Sequence, residues 1–410
     1  MSVPTAPLPA INPENEWRSE TPGPQNWARS PRAGASKKYF MASVDSHIAP
    51  PLELAKGLKA EHQALLPRYE TDETGTLWQI NEQRGLRFPM ESSRLHGEDD
   101  YRQRAGKISL NDPDRDMAIR LADLDRDGID YELAFPNGWA LVAYGIADFE
   151  FMSSLFNAYN TWAAGLNKTY GHRVNIVPAV STFDVDQALK DLDLIGKLGH
   201  TCVNIPTHPH PADHKQLYND PRYDPIWAKI SEMNIPILFH VATGGDPRRK
   251  GGPGNAIINR QGSHDLMAEV ITVMCVSGIL DRFPKLRFNG VEGGAGWLPA
   301  LMDLWDETYR KHHFWVKPKL KHGLPSEYFR EHGMVSFQED RSALLLCEPY
   351  NLSNNITWSN DYPHHEGTWP HSAAAIERDF GILSEEARAK VLGLNAARFM
   401  GLEVPARFRN

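Results

Sequence analysis

Four polar residues, far apart in a 410-residue chain, each follow a short apolar run. Asp45 and His47 follow residues 39–44 in Val44-Asp-Ser-His47. His240 closes Ile235-Pro-Ile-Leu-Phe-His240. Asp361 stands just past residues 356–358 in Trp358-Ser-Asn-Asp-Tyr-Pro-His-His365. Two carboxylates and two imidazoles brought together suit a divalent metal ion better than any other task. Asp45 and His47 are two apart, so on a regular strand both face one side. If the apolar runs are parallel strands of one barrel, all four side chains meet at one rim. Strands one and eight are then neighbours, and strand five lies across from them. Further donors stand near the same rim: His208 and His210 after the fourth strand, Glu292 after the sixth, and His364, His365 and Glu366 after the eighth.

The elements that must place these groups are read from period and length. Strands are expected at 39–44, 131–135, 174–178, 202–205, 235–239, 286–290, 334–337 and 356–358. Helices are expected at 117–124, 149–170, 185–198, 223–233, 266–280, 298–309, from 343, and at 384–392 with Ser384 as N-cap. Eight short strands alternating with helices predict an α/β fold, a (β/α)8 TIM-type barrel over 39–402. A doubly wound open sheet is the competitor, though no glycine-rich phosphate turn follows the first strand to favour a nucleotide-binding version. Residues 1–38 hold seven prolines and read as an extended arm. A long insertion after strand 1, about 50–113, and the loop 242–264 fall on the rim where lids form. Residues 403–410 read as a tail.

Composition narrows the function. The formal charge of −8 argues against nucleic acid as the partner. No segment reaches the roughly 18 unbroken apolar residues of a membrane span. Cys202, Cys275 and Cys347 are widely spaced, which fits buried small hydrophobes rather than a disulfide framework. The start lacks a signal-peptide pattern, so a cytoplasmic location is expected. Trp297, Trp358, Tyr362 and Trp369 read either as packing at the barrel mouth or as walls of a substrate pocket. Arg248, Arg249 and Lys250 read as a solvated charge run or as an anchor for a substrate carboxylate.

The chain resembles the amidohydrolase superfamily, in the branch of the aminocarboxymuconate-semialdehyde and γ-resorcylate decarboxylases. The likeness runs from about residue 40 to 402. It rests on Val44-Asp-Ser-His-Ile-Ala-Pro-Pro51, Asp224-Pro-Ile-Trp227 leading to His240, Phe283-Pro-Lys-Leu-Arg-Phe288 with Glu292-Gly-Gly-Ala-Gly-Trp297, and Ser359-Asn-Asp-Tyr-Pro-His364. It implies a barrel of the metal-dependent hydrolase kind. The implied ligands are Asp45, His47, His240 and Asp361, around zinc first, with iron or manganese as the other ions. Catalytic roles fall to Asp361, Glu292 and His364; His208, His210, Glu292 and His365 are left for a second metal or for supporting hydrogen bonds. The implied reaction is hydrolysis or non-oxidative decarboxylation of a small carboxylated substrate. A di-metal iron or manganese monooxygenase is the alternative. A third reading is a metal-binding scaffold in a hetro-oligomer with a related catalytic barrel, against a homo-oligomer in the other cases. Two departures stand out. The first-strand motif of the branch is often Glu-x-His or His-x-His, and here it is Asp45-Ser-His47. Where the decarboxylases commonly carry a histidine after strand six, this chain carries Glu292.

Overall fold

The computed structural model describes residues 39–73, 77–82, 86–89, 117–213, 215–244, 251–312, 314–364, 367–369 and 372–408. The arm 1–38, residues 90–116 of the insertion, Arg248, Arg249, Lys250, His365 and Glu366 lie outside the described residues. The strands, in order, are β1 (Ala42–Ile48), β2 (Arg68–Thr71), β3 (Leu77–Asn81), β4 (Leu86–Pro89), β5 (Tyr131–Pro136), β6 (Val174–Ile176), β7 (Val203–Ile205), β8 (Ile237–His240), β9 (Phe288–Val291), β10 (Gly333–Phe337) and β11 (Ile356–Trp358).

The fold is α/β with parallel sheets. β1, β5 and β6 form one, in the order β1-β5-β6, and β7 to β11 form another, in the order β11-β10-β9-β8-β7. Isolated parallel bridges join their edges at both ends. Ser46 of β1 pairs with Tyr362 past β11, and Ala179 past β6 pairs with Asn204 of β7. Parallel strands need long crossovers, and helices supply them. Several starts are fixed by side-chain caps: Asp148 accepts from Phe151 N, Asp184 from Gln187 N, and Ser384 from Ala387 N, as expected for Ser384.

Alternation along the strands makes two cores. Ile237, Phe239, Val335, Phe337, Ile356 and Trp358 pack outward against the helices. Ala42, Val44, Tyr131, Leu133, Phe135, Leu238 and Val291 pack together inside. Helix Asn395–Met400 adds Ala396, Ala397, Phe399 and Met400 to that inner cluster, with Val404 and Phe408 of the tail packed against it. Each large apolar side chain so buried contributes about 1.5–3 kcal/mol relative to exposure.

Three expectations need correction. β1 does not end at residue 44 but runs to Ile48, because it pairs with β5 on one side and bridges to Tyr362 on the other. The helix expected from 266 starts at Asn255, after Gly254 in a left-handed turn. Its first turn exposes Ile257 and Ile258, which hides the helical period. Part of the insertion, read as polar loop, forms the antiparallel sheet β2-β3-β4. Its strands hold by backbone pairing and by Trp78, whose Nε1 donates to Asp72 at 2.7 Å while Arg87 covers the ring at 4.2 Å. Among the described residues, no helix is long and apolar enough to cross a membrane.

A fully buried ion pair ties helix Met117–Asp127 to the first sheet. Arg120 Nε donates to Glu132 of β5, Nη1 to the His47 carbonyl at 2.9 Å, and Nη2 to Ser46 Oγ at 2.9 Å. The guanidinium also lies 4.9 Å over the Tyr362 ring. Arg120→Ala strands Glu132 as an unpaired buried carboxylate and should lower stability by about 3–5 kcal/mol, read as a shifted urea midpoint. Arg120→Met with Glu132→Leu should recover most of that loss.

Candidate functional site

β1 delivers two of the expected ligands through an irregularity. Ser43 pairs with Glu132 and Ser46 with Ala134, so Val44 and Asp45 together stand opposite the single residue Leu133. A bulge of this kind switches the side to which the following residues point. Ala42 and Val44 therefore face the inner core, and Asp45 and His47 face inward as well, above it. Ser43 and Ser46 point outward: Ser43 Oγ donates to Asn360 Oδ1 at 2.8 Å, and Ser46 Oγ to the Leu133 carbonyl at 2.9 Å.

The four expected residues converge at the carboxyl ends of the strands, all of them buried. Asp45 Oδ1 lies 3.1 Å from His240 Nε2 and 3.6 Å from His47 Nε2. His47 Nε2 lies 3.1 Å from Asp361 Oδ1. The backbone locks the two segments together, since Asp361 N donates to the Asp45 carbonyl at 3.1 Å and His47 N to the Tyr362 carbonyl at 2.6 Å. His240 Nδ1 donates to the Val241 carbonyl at 2.7 Å, which leaves Nε2 as the lone-pair nitrogen of the neutral ring.

Glu292 and His364 join them. Glu292 follows β9, with Oε2 3.5 Å from His240 Nε2 and Oε1 2.6 Å from Arg260 Nη1. It does not cap its own glycine-rich turn. Asp340 does that, accepting from Ala295 N at 2.9 Å and Gly296 N at 2.8 Å. A Cβ on Gly296 would fall 2.7 Å from Asp340 Oδ1, so only glycine permits this approach. His364 Nδ1 lies 3.2 Å from Asp361 Oδ1, and its ring stacks on His47 at 3.8 Å. The ligand atoms of Asp45, His47, His240 and Glu292 lie within 4.8 Å of one another, as do those of His47, Asp361 and His364.

The remaining expected donors stand elsewhere. His208 is buried with Nε2 3.1 Å from Glu269 Oε2, outside both groups. His210 Nδ1 accepts from Ala212 N at 3.1 Å and Asp213 N at 2.9 Å, so it shapes its own loop. His365 lies outside the described residues. The aromatics take the packing role: Trp358 and Tyr362 are fully buried, Tyr362 OH donates to Asp123 at 3.0 Å, and Trp369 sits edge-on to Tyr362 at 5.0 Å. Trp297 Nε1 donates to the Gly293 carbonyl at 2.8 Å.

Three participants were not foreseen. Gln338 donates Nε2 to Asp45 Oδ2 at 3.3 Å. It follows β10, so the pattern of a polar residue after an apolar run could have found it. Arg120 sits beneath the first strand, and a charge within an otherwise apolar face, matched by Glu132 inside β5, was its signal. Arg260 had none, being placed in a supposed loop.

The electrostatics ask for a cation. Burial, together with the charges of Asp361 and Asp45, pushes the Glu292 carboxyl well above the usual carboxylate range. Burial opposes charging of His240, but the charge and hydrogen bond of Asp45 and the charge of Glu292 outweigh it and lift the ring to about 9. Asp361 buries both carboxylate oxygens, and neither accepts a hydrogen bond despite the imidazoles beside it. Buried polar atoms are ordinarily satisfied. Asp361 (φ 53°) and Glu292 (φ 63°) also hold left-handed backbone, which costs a non-glycine residue about 1–3 kcal/mol and gathers at functional sites. Hard carboxylate oxygens with imidazole nitrogens form a donor set that a divalent metal ion fits.

Residues 44–402 match the family model described as Amidohydrolase. No curated protein compared with the chain matches it. Several solved structures share its fold. An amidohydrolase from Mycobacterium avium subsp. paratuberculosis K-10 is similar with a TM-score of 0.66 at 20% identity, covering 90% of this chain and 99% of that one. The 5-carboxyvanillate decarboxylase of Sphingomonas paucimobilis is similar at 0.62 and 19% identity, covering 89% and 100%. The 5-carboxyvanillate decarboxylase of Novosphingobium aromaticivorans DSM 12444, solved with manganese and 4-hydroxy-3-methoxy-5-nitrobenzoic acid, is similar at 0.63 and 16% identity, covering 92% and 99%. These identities speak for the fold, while the family match spans most of the sequence: the chain belongs to the amidohydrolase family.

Proposed function

We propose that the chain is a metal-dependent enzyme that acts on a small carboxylated substrate by hydrolysis or non-oxidative decarboxylation. Asp45, His47, His240 and Asp361 hold one divalent ion. The observation that carries this reading is the buried Asp361 carboxylate, which accepts no hydrogen bond beside imidazole nitrogens at 3.1 and 3.2 Å. Two imidazoles and two carboxylates put zinc first, with manganese or iron held by the same donors. The two parallel sheets and their joining bridges are read as one closed (β/α)8 barrel, which puts the cluster on the rim where such barrels keep their active sites. Three buried cysteines without disulfides fit a reducing compartment, the cytoplasm.

An ion bound here supplies Lewis-acid polarisation of substrate oxygens. The chain's own groups do the rest. Asp361 accepts the proton of attacking water in a hydrolysis. Glu292, whose carboxyl is pushed upward by burial and by the neighbouring carboxylates, is the proton donor. In hydrolysis its proton goes to the leaving group. In a decarboxylation the carbon–carbon bond breaks, its electron pair stays on the substrate carbon, carbon dioxide leaves, and Glu292 protonates that carbon. The decarboxylases of like fold make an aromatic carboxylate the first substrate class to try. His364 stacks on His47 and fills the space beside the Asp361 carboxylate, its Nδ1 3.2 Å from Oδ1.

A second reading draws on the separate grouping of His47, Asp361 and His364. Two iron or manganese ions per chain, with oxygen uptake, would favour a di-metal monooxygenase. Metal without turnover until a second polypeptide is added would make the chain a scaffold subunit.

Elemental analysis of protein purified without added metal should find about one ion per chain. Asp361→Ala and His240→Ala should each lose most of it, and full occupancy in both variants would remove the centre. Protons compete with the ion for His240. Metal affinity, measured by chelator competition, should therefore rise with pH and level off once His240 has lost its proton, above about 9. Affinity that is flat or falls across that range would contradict these ligands.

A further inference from the structure

β10 supplies neither a carboxylate nor an imidazole to the cluster, yet its end reaches two of the carboxylate-bearing residues. Gln338, 8% exposed, donates Nε2 to Asp45 Oδ2 at 3.3 Å. Two residues earlier, Ser336 Oγ accepts from Glu292 N at 3.1 Å. Residues two apart along an extended chain share a side. The strand therefore braces the side chain of Asp45 and the backbone of Glu292 from the same side.

The two oxygens of the Asp45 carboxylate face different neighbours. Oδ1 faces His240 Nε2 at 3.1 Å and His47 Nε2 at 3.6 Å, while Oδ2 is taken by the Gln338 amide. The amide must present its nitrogen here, since a carboxylate oxygen accepts and cannot donate. A carboxylate left free to rotate about its terminal bond can offer an ion either oxygen or both. We propose that Gln338 is a positioning residue for the metal centre, holding one oxygen of Asp45 away from the ion so that the other alone is presented. Single-oxygen ligation leaves a coordination place for substrate. The proposal rests on the metal reading given above. It also gives a reason why the shorter aspartate serves at this position: the amide from β10 fixes what side-chain length does not.

Gln338→Met tests it, because methionine keeps the length and approximate volume but removes the donor. The zinc affinity of the initially metal-free protein, by chelator competition, should weaken roughly 10–100-fold with the unfolding midpoint unchanged. In the cobalt(II)-loaded protein the visible ligand-field bands should weaken, as Asp45 binds through both oxygens and the coordination number rises. Gln338→Ala, made in parallel in case methionine crowds the site, should show the same loss of affinity. If the parent protein binds zinc and both variants match it within about twofold with an unchanged cobalt spectrum, the role of Gln338 is overturned and the centre stands. If the parent itself binds no metal, the reading of the centre falls and this proposal with it.

Discussion

Buried negative charge is the constraint around which this protein is arranged. Asp45, Glu292 and Asp361 come from three separate parts of the chain and meet where all three are buried. Carboxylates in such a place cost several kcal/mol each unless something positive or protic answers them. The chain answers in part, with three imidazoles, with Arg260 on Glu292 and with the Gln338 amide on Asp45. The remainder is left for a cation. The raised Glu292 carboxyl and the proton-holding His240 are two signs of one imbalance.

Holding these groups in place calls on layers well behind them. The bulge in β1 lets one strand contribute apolar residues to the inner core and then polar ones to the cluster without leaving the sheet. Behind it, Arg120 grips the His47 carbonyl and lies over Tyr362, next to Asp361. Asn360 donates to Asp127 at 2.9 Å and accepts from Ser43, and Ser372 closes the same network. Burial keeps Asp127 up at about 7 despite those hydrogen bonds. The His47 and Asp361 segments are thereby pinned from the outer side of the sheet, where substitutions can be felt at the centre without touching it.

The cluster was legible because parallel strands buried on both faces read as apolar runs, and a polar residue closing such a run must sit at a strand end. That reasoning singled out His240, Glu292 and Asp361, which the structure brings close together. It shortened β1, because Asp45, Ser46 and His47 interrupt the apolar run and only the pairing with Tyr362 extends the strand through them. It placed His208 and His210 near the same rim, but His210 turns back to cap its own loop. Helix Asn255–Val276 was hidden by its glycine-rich approach and its outward isoleucines, and Arg260 was hidden with it. What escaped was carried by contacts between distant segments, which local period does not encode.

The left-handed backbone at Asp361 and Glu292 has a consequence for anyone trying to harden this molecule against heat. Glycine sits more easily in that conformation than either acid does. The most rewarding substitutions for endurance would thus fall within the proposed metal centre, where each gain in resilience would be taken from the chemistry.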